Sequence, residues 1–228
     1  MAPSFVRPAQ SARSNAFPSL TATLCAAFVV GLLLAADAAG DFRGNPAFRH
    51  NVMLQRGLHS SIADIEVHTK MKSFPPMSLT FHGHSYFRGP DKQAVVFDDV
   101  PGPLKGMVKD SPSIEPALEW EHYYHVTIVG DDGSSTTFHL VPRDSSSSLA
   151  SIDAILDDTT GYMTQVHFVN TNGSETTTQQ TYGTVGRFEV IVSQTGQSHG
   201  AGYKADVTTT FSDYQINVPV PDSIFTPQ

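Results

Sequence analysis

Apolar and polar positions divide this chain into three stretches of different period. From Leu20 to Ala35 the residues are almost continuously apolar. Between Pro46 and Arg56 the apolar residues Phe48, Val52, Met53 and Leu54 are spaced so that they share a helical face. From Ile62 onward the period drops toward two, in runs of β-branched and aromatic residues broken by Gly, Pro, Asn and Asp clusters. The expected order is an apolar leader, one short helix and a long series of strands.

Local chemistry sharpens that outline. Asn45-Pro46 offers an N-cap and a proline at the first helical position, and Gly57 offers the C-terminal stop, so a helix is expected over 46–56. In the strand beginning at Met77, Met77, Leu79 and Phe81 share one face while Ser78, Thr80, His82 and His84 share the other, and Gly83 marks a bulge or bend. Strict alternation makes 117–129 the longest strand, with Leu118, Trp120, His122, Tyr124, Val126 and Ile128 on one side. Asp131-Asp132-Gly133, the Asp157 to Gly161 cluster and Asn172-Gly173 each predict a hairpin turn, which makes the middle of the chain a meander. Further strands are expected at 187–193 and 205–218, with 196–202 as a loop between them. The proline-bearing 99–116 and the serine run 142–148 read as irregular, the first holding a short helix at Leu104–Val108.

The leader gains meaning from its flanks. Arg7 and Arg13 precede the apolar run and the small-residue triplet Ala36-Asp37-Ala38 follows it, the three parts of a secretory signal cut after Ala38. The competing reading is an uncleaved anchor, because the run approaches the ~20 residues that span a bilayer. Residues 1–38 are therefore assigned to the signal and 39–228 to one domain, exported to the periplasm or the extracellular space. Cys25 is the sole cysteine and lies inside the run behind Leu24, a poor context for lipidation; once the leader is removed, no disulfide, thiolate nucleophile or cysteine metal site remains. With 14 Lys plus Arg against 22 Asp plus Glu the net charge is -8, and no basic block follows the leader, which disfavours nucleic acid as a partner.

The layout resembles the LolA-like family of periplasmic lipoprotein carriers. The likeness rests on the signal, the short helix and the long strands, with Phe138-His139-Leu140-Val141-Pro142 leading to Ile152-Asp153-Ala154-Ile155-Leu156-Asp157 and Thr160-Gly161, and with the closing segment Asp213 to Phe225. It implies a mainly β, α+β fold: a large curved antiparallel sheet forming an incomplete β-barrel, with short helices covering a concave apolar face that holds acyl chains. Candidate lining residues are Phe48, Met53, Leu54, Leu79, Phe81, Trp120, Tyr124, Ile128, Phe138, Leu140, Val166 and Phe168. The bland alternative for each is a place in an ordinary core.

Catalytic readings find little support. His82-x-His84, with His122, His125, His139 and His167 elsewhere, has a chelating spacing but lacks a carboxylate in ligand register, so solvated strand histidines are the better reading. No nucleophile elbow, phosphate loop or dinucleotide fingerprint is present, and the paired aspartates sit where turns need them. Asn172-Gly173-Ser174 matches a glycosylation acceptor but is explained by its turn. The sequence thus predicts a monomeric, non-enzymatic protein without cofactor or metal that binds a lipid acyl chain or a lipidated protein. The rival is an envelope sensing or interaction domain of the same fold, its interior filled and an envelope protein its partner.

Overall fold

A computed structural model describes residues 41–73, 76–98, 113–200 and 202–226. All of them belong to one compact unit, 38–228. The leader and the expected helix at Leu104–Val108 lie outside the described residues.

The alternating stretches form ten strands: β1 (Ser60–Met71), β2 (Met77–Arg88), β3 (Lys92–Phe97), β4 (Tyr124–Asp131), β5 (Ser135–Pro142), β6 (Leu149–Asp157), β7 (Met163–Asn170), β8 (Glu175–Val185), β9 (Phe188–Gly200) and β10 (Tyr203–Ile216). They make one antiparallel sheet in the order β3-β2-β1-β10-β9-β8-β7-β6-β5-β4. The sheet does not close into a barrel: β3 and β4 are its edges. Among the described residues few helices cover it. The first, α1 (Pro46–Leu54), starts where expected, with the Asn45 side chain accepting from the Phe48 N–H at 3.2 Å, and ends two residues early.

The hairpin turns follow the predicted chemistry. Asp132 Oδ1 accepts the backbone N–H groups of Ser134 and Ser135, Asp157 Oδ1 those of Thr159 and Thr160, and Asn172 Oδ1 that of Ser174. The hydroxyl and N–H of Ser134, with the N–H of Ser135, hold the Asp132 carboxyl down at about 2. The Asp157 carboxyl is lowered in the same way, through Thr160 first.

Three expectations fail. The run 117–129 is not one strand: Ala117–Glu119 is a 3-10 turn, Trp120–Tyr123 is a helical turn, α2, and the strand begins only at Tyr124. Ala117 and Trp120 are buried at a spacing of three while Leu118 is 66% exposed, so the period in this stretch is helical. Pro116 starts the turn, and the Trp120 indole N–H closes it on the Glu115 carbonyl at 2.9 Å. The expected loop 196–202 is mostly strand: β9 runs to Gly200, which pairs with Tyr203 of β10. Its Ser198 hydroxyl is hydrogen-bonded to Thr176 and Tyr203, so polar residues face other polar residues and the ladder continues without an apolar pattern. Gly83 marks no bulge, since its register with both β1 and β3 is unbroken. The glycine is needed for a close approach, because a Cβ there would lie 2.2 Å from the Val96 carbonyl oxygen.

The main core sits on the β4–β7 half of the inner face. Phe138, Leu140, Ile152, Ala154, Leu156, Val166 and Phe168 project from neighbouring strands in register, and Phe48 of α1 and Trp120 of α2 close over them. Ring centroids of Phe48, Trp120 and Phe138 are 5.7 to 6.2 Å apart, tilted as packed aromatic rings prefer.

Candidate functional site

The site is built around α1, and the sequence explains how that helix is seated. Its buried side carries Ala47, Phe48 and Asn51. Three polar contacts tie it to the β5–β7 end of the sheet: Asn45 Nδ2 to Thr136 Oγ1 at 3.3 Å, Asn51 Nδ2 to the Gly161 carbonyl at 2.7 Å, and His50 Nδ1 to the Asp158 carbonyl at 3.0 Å. Gly161 has a φ of +74°, and a Cβ on it would stand 2.5 Å from the backbone of His50 and Asn51. Only glycine allows both that turn and that approach.

The candidate lining residues fall into three groups. Phe48, Trp120, Tyr124, Phe138, Leu140, Val166 and Phe168 belong to one packed cluster, with Ile128 against its edge. The Tyr124 hydroxyl donates to the Glu115 carboxylate, and burial together with that carboxylate pushes the phenol well above its usual range. Met53 and Leu54 lie on the outer side of this core, at clefts described below. Leu79 and Phe81 sit on β2 at the far end of the inner face, where register aligns them with Thr69 and Val67 of β1, and where Phe81 packs on Phe97.

Between the two apolar ends runs a polar band. Register from β10 to β8 aligns Thr209, Gln194 and Gln180 in one row, Val207, Gly196 and Thr178 in the next, and Ala205, Ser198 and Thr176 in a third. The inner face therefore does not present one continuous greasy wall.

Two open clefts flank α1. The larger, about 620 Å³, lies between the end of α1, the β6–β7 turn and the β8–β9 hairpin; Met53, Leu54 and Phe188 give it apolar surface, and His50, Arg56 and Arg187 give it nitrogen. The second, about 440 Å³, is mainly apolar, lined by Phe42, Phe48, Val52, Met53, Ala117 and Leu118, with Arg43, Arg49 and Glu121 around them. Met53 lines both clefts. It is 56% exposed and Leu118 is 66% exposed, so this apolar surface is largely uncovered. Both volumes lie within the roughly 300–1,000 Å³ common for small-molecule sites.

The outer face carries a row of histidines. His139 Nδ1 meets Asp153 at 2.6 Å, Asp153 meets His167 at 3.9 Å, His167 Nε2 meets Glu175 at 3.1 Å and Glu175 meets His199 at 3.8 Å, a ladder that crosses five strands. On β1 and β2, Glu66 contacts both His68 and His82, and Asp64 contacts His84 at 2.9 Å. The His68 hydrogen bond is the main cause that lowers the Glu66 carboxyl. Among the described residues no group of three or more histidines and carboxylates is arranged to hold a metal ion. Sequence reading missed the carboxylate partners of His82, His84, His139, His167 and His199 because they come from neighbouring strands. It also passed over Arg187 and Arg56; for Arg56 the available signal was the i, i+4, i+7 spacing of Arg49, Met53 and Arg56 along the helix and the turn that follows it.

Neither a protein-family model nor a curated protein sequence matches the chain. Solved structures do. A domain described as an outer membrane lipoprotein-sorting protein from Vibrio parahaemolyticus superposes with a TM-score of 0.56 at 15% identity, over 78% of this chain and 94% of that one. A LolA superfamily protein from Nitrosomonas europaea gives 0.56 at 12% identity, over 79% and 96%. A DUF1329 family protein from Desulfovibrio piger gives 0.57 at 11%, over 80% and 98%. At these identities the likeness is one of architecture, and the architecture is the LolA-like fold.

Proposed function

We propose that this chain is an exported, non-enzymatic carrier that binds the acyl chain of a lipid or of a lipidated protein, with the chain lying in the clefts beside α1. The observation that carries the reading is the uncovered apolar surface of Met53 and Leu118 next to the core ring of Phe48. Fully burying a side chain of this size is worth roughly 1.5–3 kcal/mol, so a ligand that covers both gains appreciable free energy. The LolA-like architecture supports the same reading, since two of the matched structures are a lipoprotein-sorting domain and a LolA superfamily protein. In this reading the core aromatic residues form the floor of the site, and Met53 and Leu54 form its walls.

A second reading has its own observation. The β4–β7 half of the interior is filled by the protein's own side chains, as a sensing or interaction domain would have it. One experiment separates them. Delipidated protein is expected to take up a fluorescent fatty acid saturably, at about one probe per chain, and Met53→Glu with Leu118→Glu is expected to weaken uptake while leaving the fold intact. Absence of saturable uptake by folded protein favours the interaction domain.

A further inference from the structure

Resting on the carrier reading, we propose that Arg56 and Arg187 form the head-group site of the bound amphiphile, and that this head group is an anionic lipid phosphate. The two arginines are remote in the chain. Arg56 follows α1, whereas Arg187 occupies the tip of the β8–β9 hairpin, after Gly186 and before Phe188. The fold brings both into the lining of the larger cleft.

Their surroundings leave the charges available. Among the described residues neither arginine has a carboxylate partner, although the protein carries a net charge of -8. The acid that shares the cleft is Glu189, whose oxygens accept from the Tyr162 hydroxyl at 3.1 Å and the Thr184 hydroxyl at 2.9 Å. Arg187 is held in place: its guanidinium lies 5.0 Å over the Phe188 ring and leans toward Gly57, where a Cβ would be 3.4 Å from Nη2. A guanidinium with its face against an aromatic ring keeps its edge for bidentate bonds to an oxyanion. The last-turn carbonyls of α1 oppose an anion, but only as partial charges beside two full ones.

The apolar part of the ligand follows from Met53. Met53 lines both clefts, so the arginine-bearing cleft and the apolar one lie on either side of it. In this proposal the acyl chain of a lipid whose phosphate sits at Arg56 and Arg187 runs past Met53 toward Leu118 and Phe42. Polar head and apolar tail are matched along one side of α1, while Arg49, Met53 and Arg56 continue the exposed stripe.

The test compares lysophosphatidylglycerol with a monoacylglycerol of the same chain length, both below their aggregation thresholds, and with inorganic phosphate alone. The wild type is expected to bind the anionic lipid at least about ten-fold more tightly than the neutral one, and phosphate alone far more weakly than either. Arg56→Gln with Arg187→Gln is expected to abolish the preference, with the emission of the buried Trp120 showing that the variant is folded. Arg56→Lys with Arg187→Lys should retain part of it. Equal affinity for the two lipids, or a preference that survives the glutamine pair, overturns the head-group site alone. If neither lipid binds, the carrier reading falls with it. Phosphate binding as tight as that of the lipid overturns the placement of the tail.

Discussion

Gly161 shows how much of the site depends on one position. Its left-handed backbone and the approach of His50 and Asn51 leave no room for a side chain. Gly161→Ala is expected to cost about 2 kcal/mol or more in urea denaturation and to loosen α1 from the sheet. Trp120 is the chain's only tryptophan and is fully buried, so its fluorescence reports the core directly. Phe138→Ala, which removes the ring beneath it, is expected to cost about 3–5 kcal/mol and to shift the tryptophan emission to the red. A loss below about 1 kcal/mol would show that the aromatic cluster is not the core. The tyrosines offer a third check. Burial pushes Tyr182 up to about 12, and it also raises Tyr214 and Tyr124. Each stays neutral in the fold where the unfolded chain would ionise, so they stabilise the protein below about pH 10 and stop doing so as pH rises through their folded values. Absorbance at 295 nm should therefore still be climbing above pH 11, and Tyr182→Phe should remove one late step.

At the scale of elements, legibility followed the kind of signal each segment carried. The hairpins were readable because Asp and Asn act on backbone groups two or three residues away, as at Asp132, Asp157 and Asn172. The cap of α1 was readable for the same reason, and Asn45→Ala is expected to cost about 1 kcal/mol, seen as a lower Tm and weaker far-ultraviolet helix signal. The segment 117–129 misled because its aromatic residues satisfy a period of two by identity, while Pro116 and the Trp120 indole impose a helical turn. The polar end of β9 misled because main-chain pairing and hydroxyl contacts with Thr176 and Tyr203 continue the strand without an apolar face. Among the candidate lining residues, the aromatic cluster packed under α1 was legible as a hydrophobic pattern. Its division from Leu79 and Phe81 was not, since the polar band that separates them is a matter of which strands lie next to each other. Arg56 and Arg187 belong to the same class: each is an unremarkable surface residue until the β8–β9 hairpin is placed beside α1.

The molecule as a whole should be sensitive to acid. The carboxyls of Asp132, Asp144, Asp157, Asp222 and Glu66 are all lowered, the first by the Ser134 hydroxyl, Asp144 by that of Ser146, Asp157 by Thr160, Asp222 by Arg88 and Glu66 by His68. Between the unfolded values near 4 and the folded ones below, the unfolded chain binds more protons, so stability falls as pH drops through this window. Urea midpoints measured from pH 6 down to pH 2.5 should decrease mainly below about pH 4.5, and Asp132→Asn should flatten that decline. One further property follows from the position of β1. Its pairing partners are β2, its neighbour in sequence, and β10, the last strand of the sheet. The three-stranded unit β1–β3 is thus synthesised first and fastened last. Until β10 is complete, β1 presents a bare edge bearing Ile65 and Val67, which is a hazard for association between incomplete chains. The order of strands therefore sets a timetable: the nascent protein has to be guarded until its final strand arrives, and hydrogen exchange during refolding should protect β5–β7 before β1.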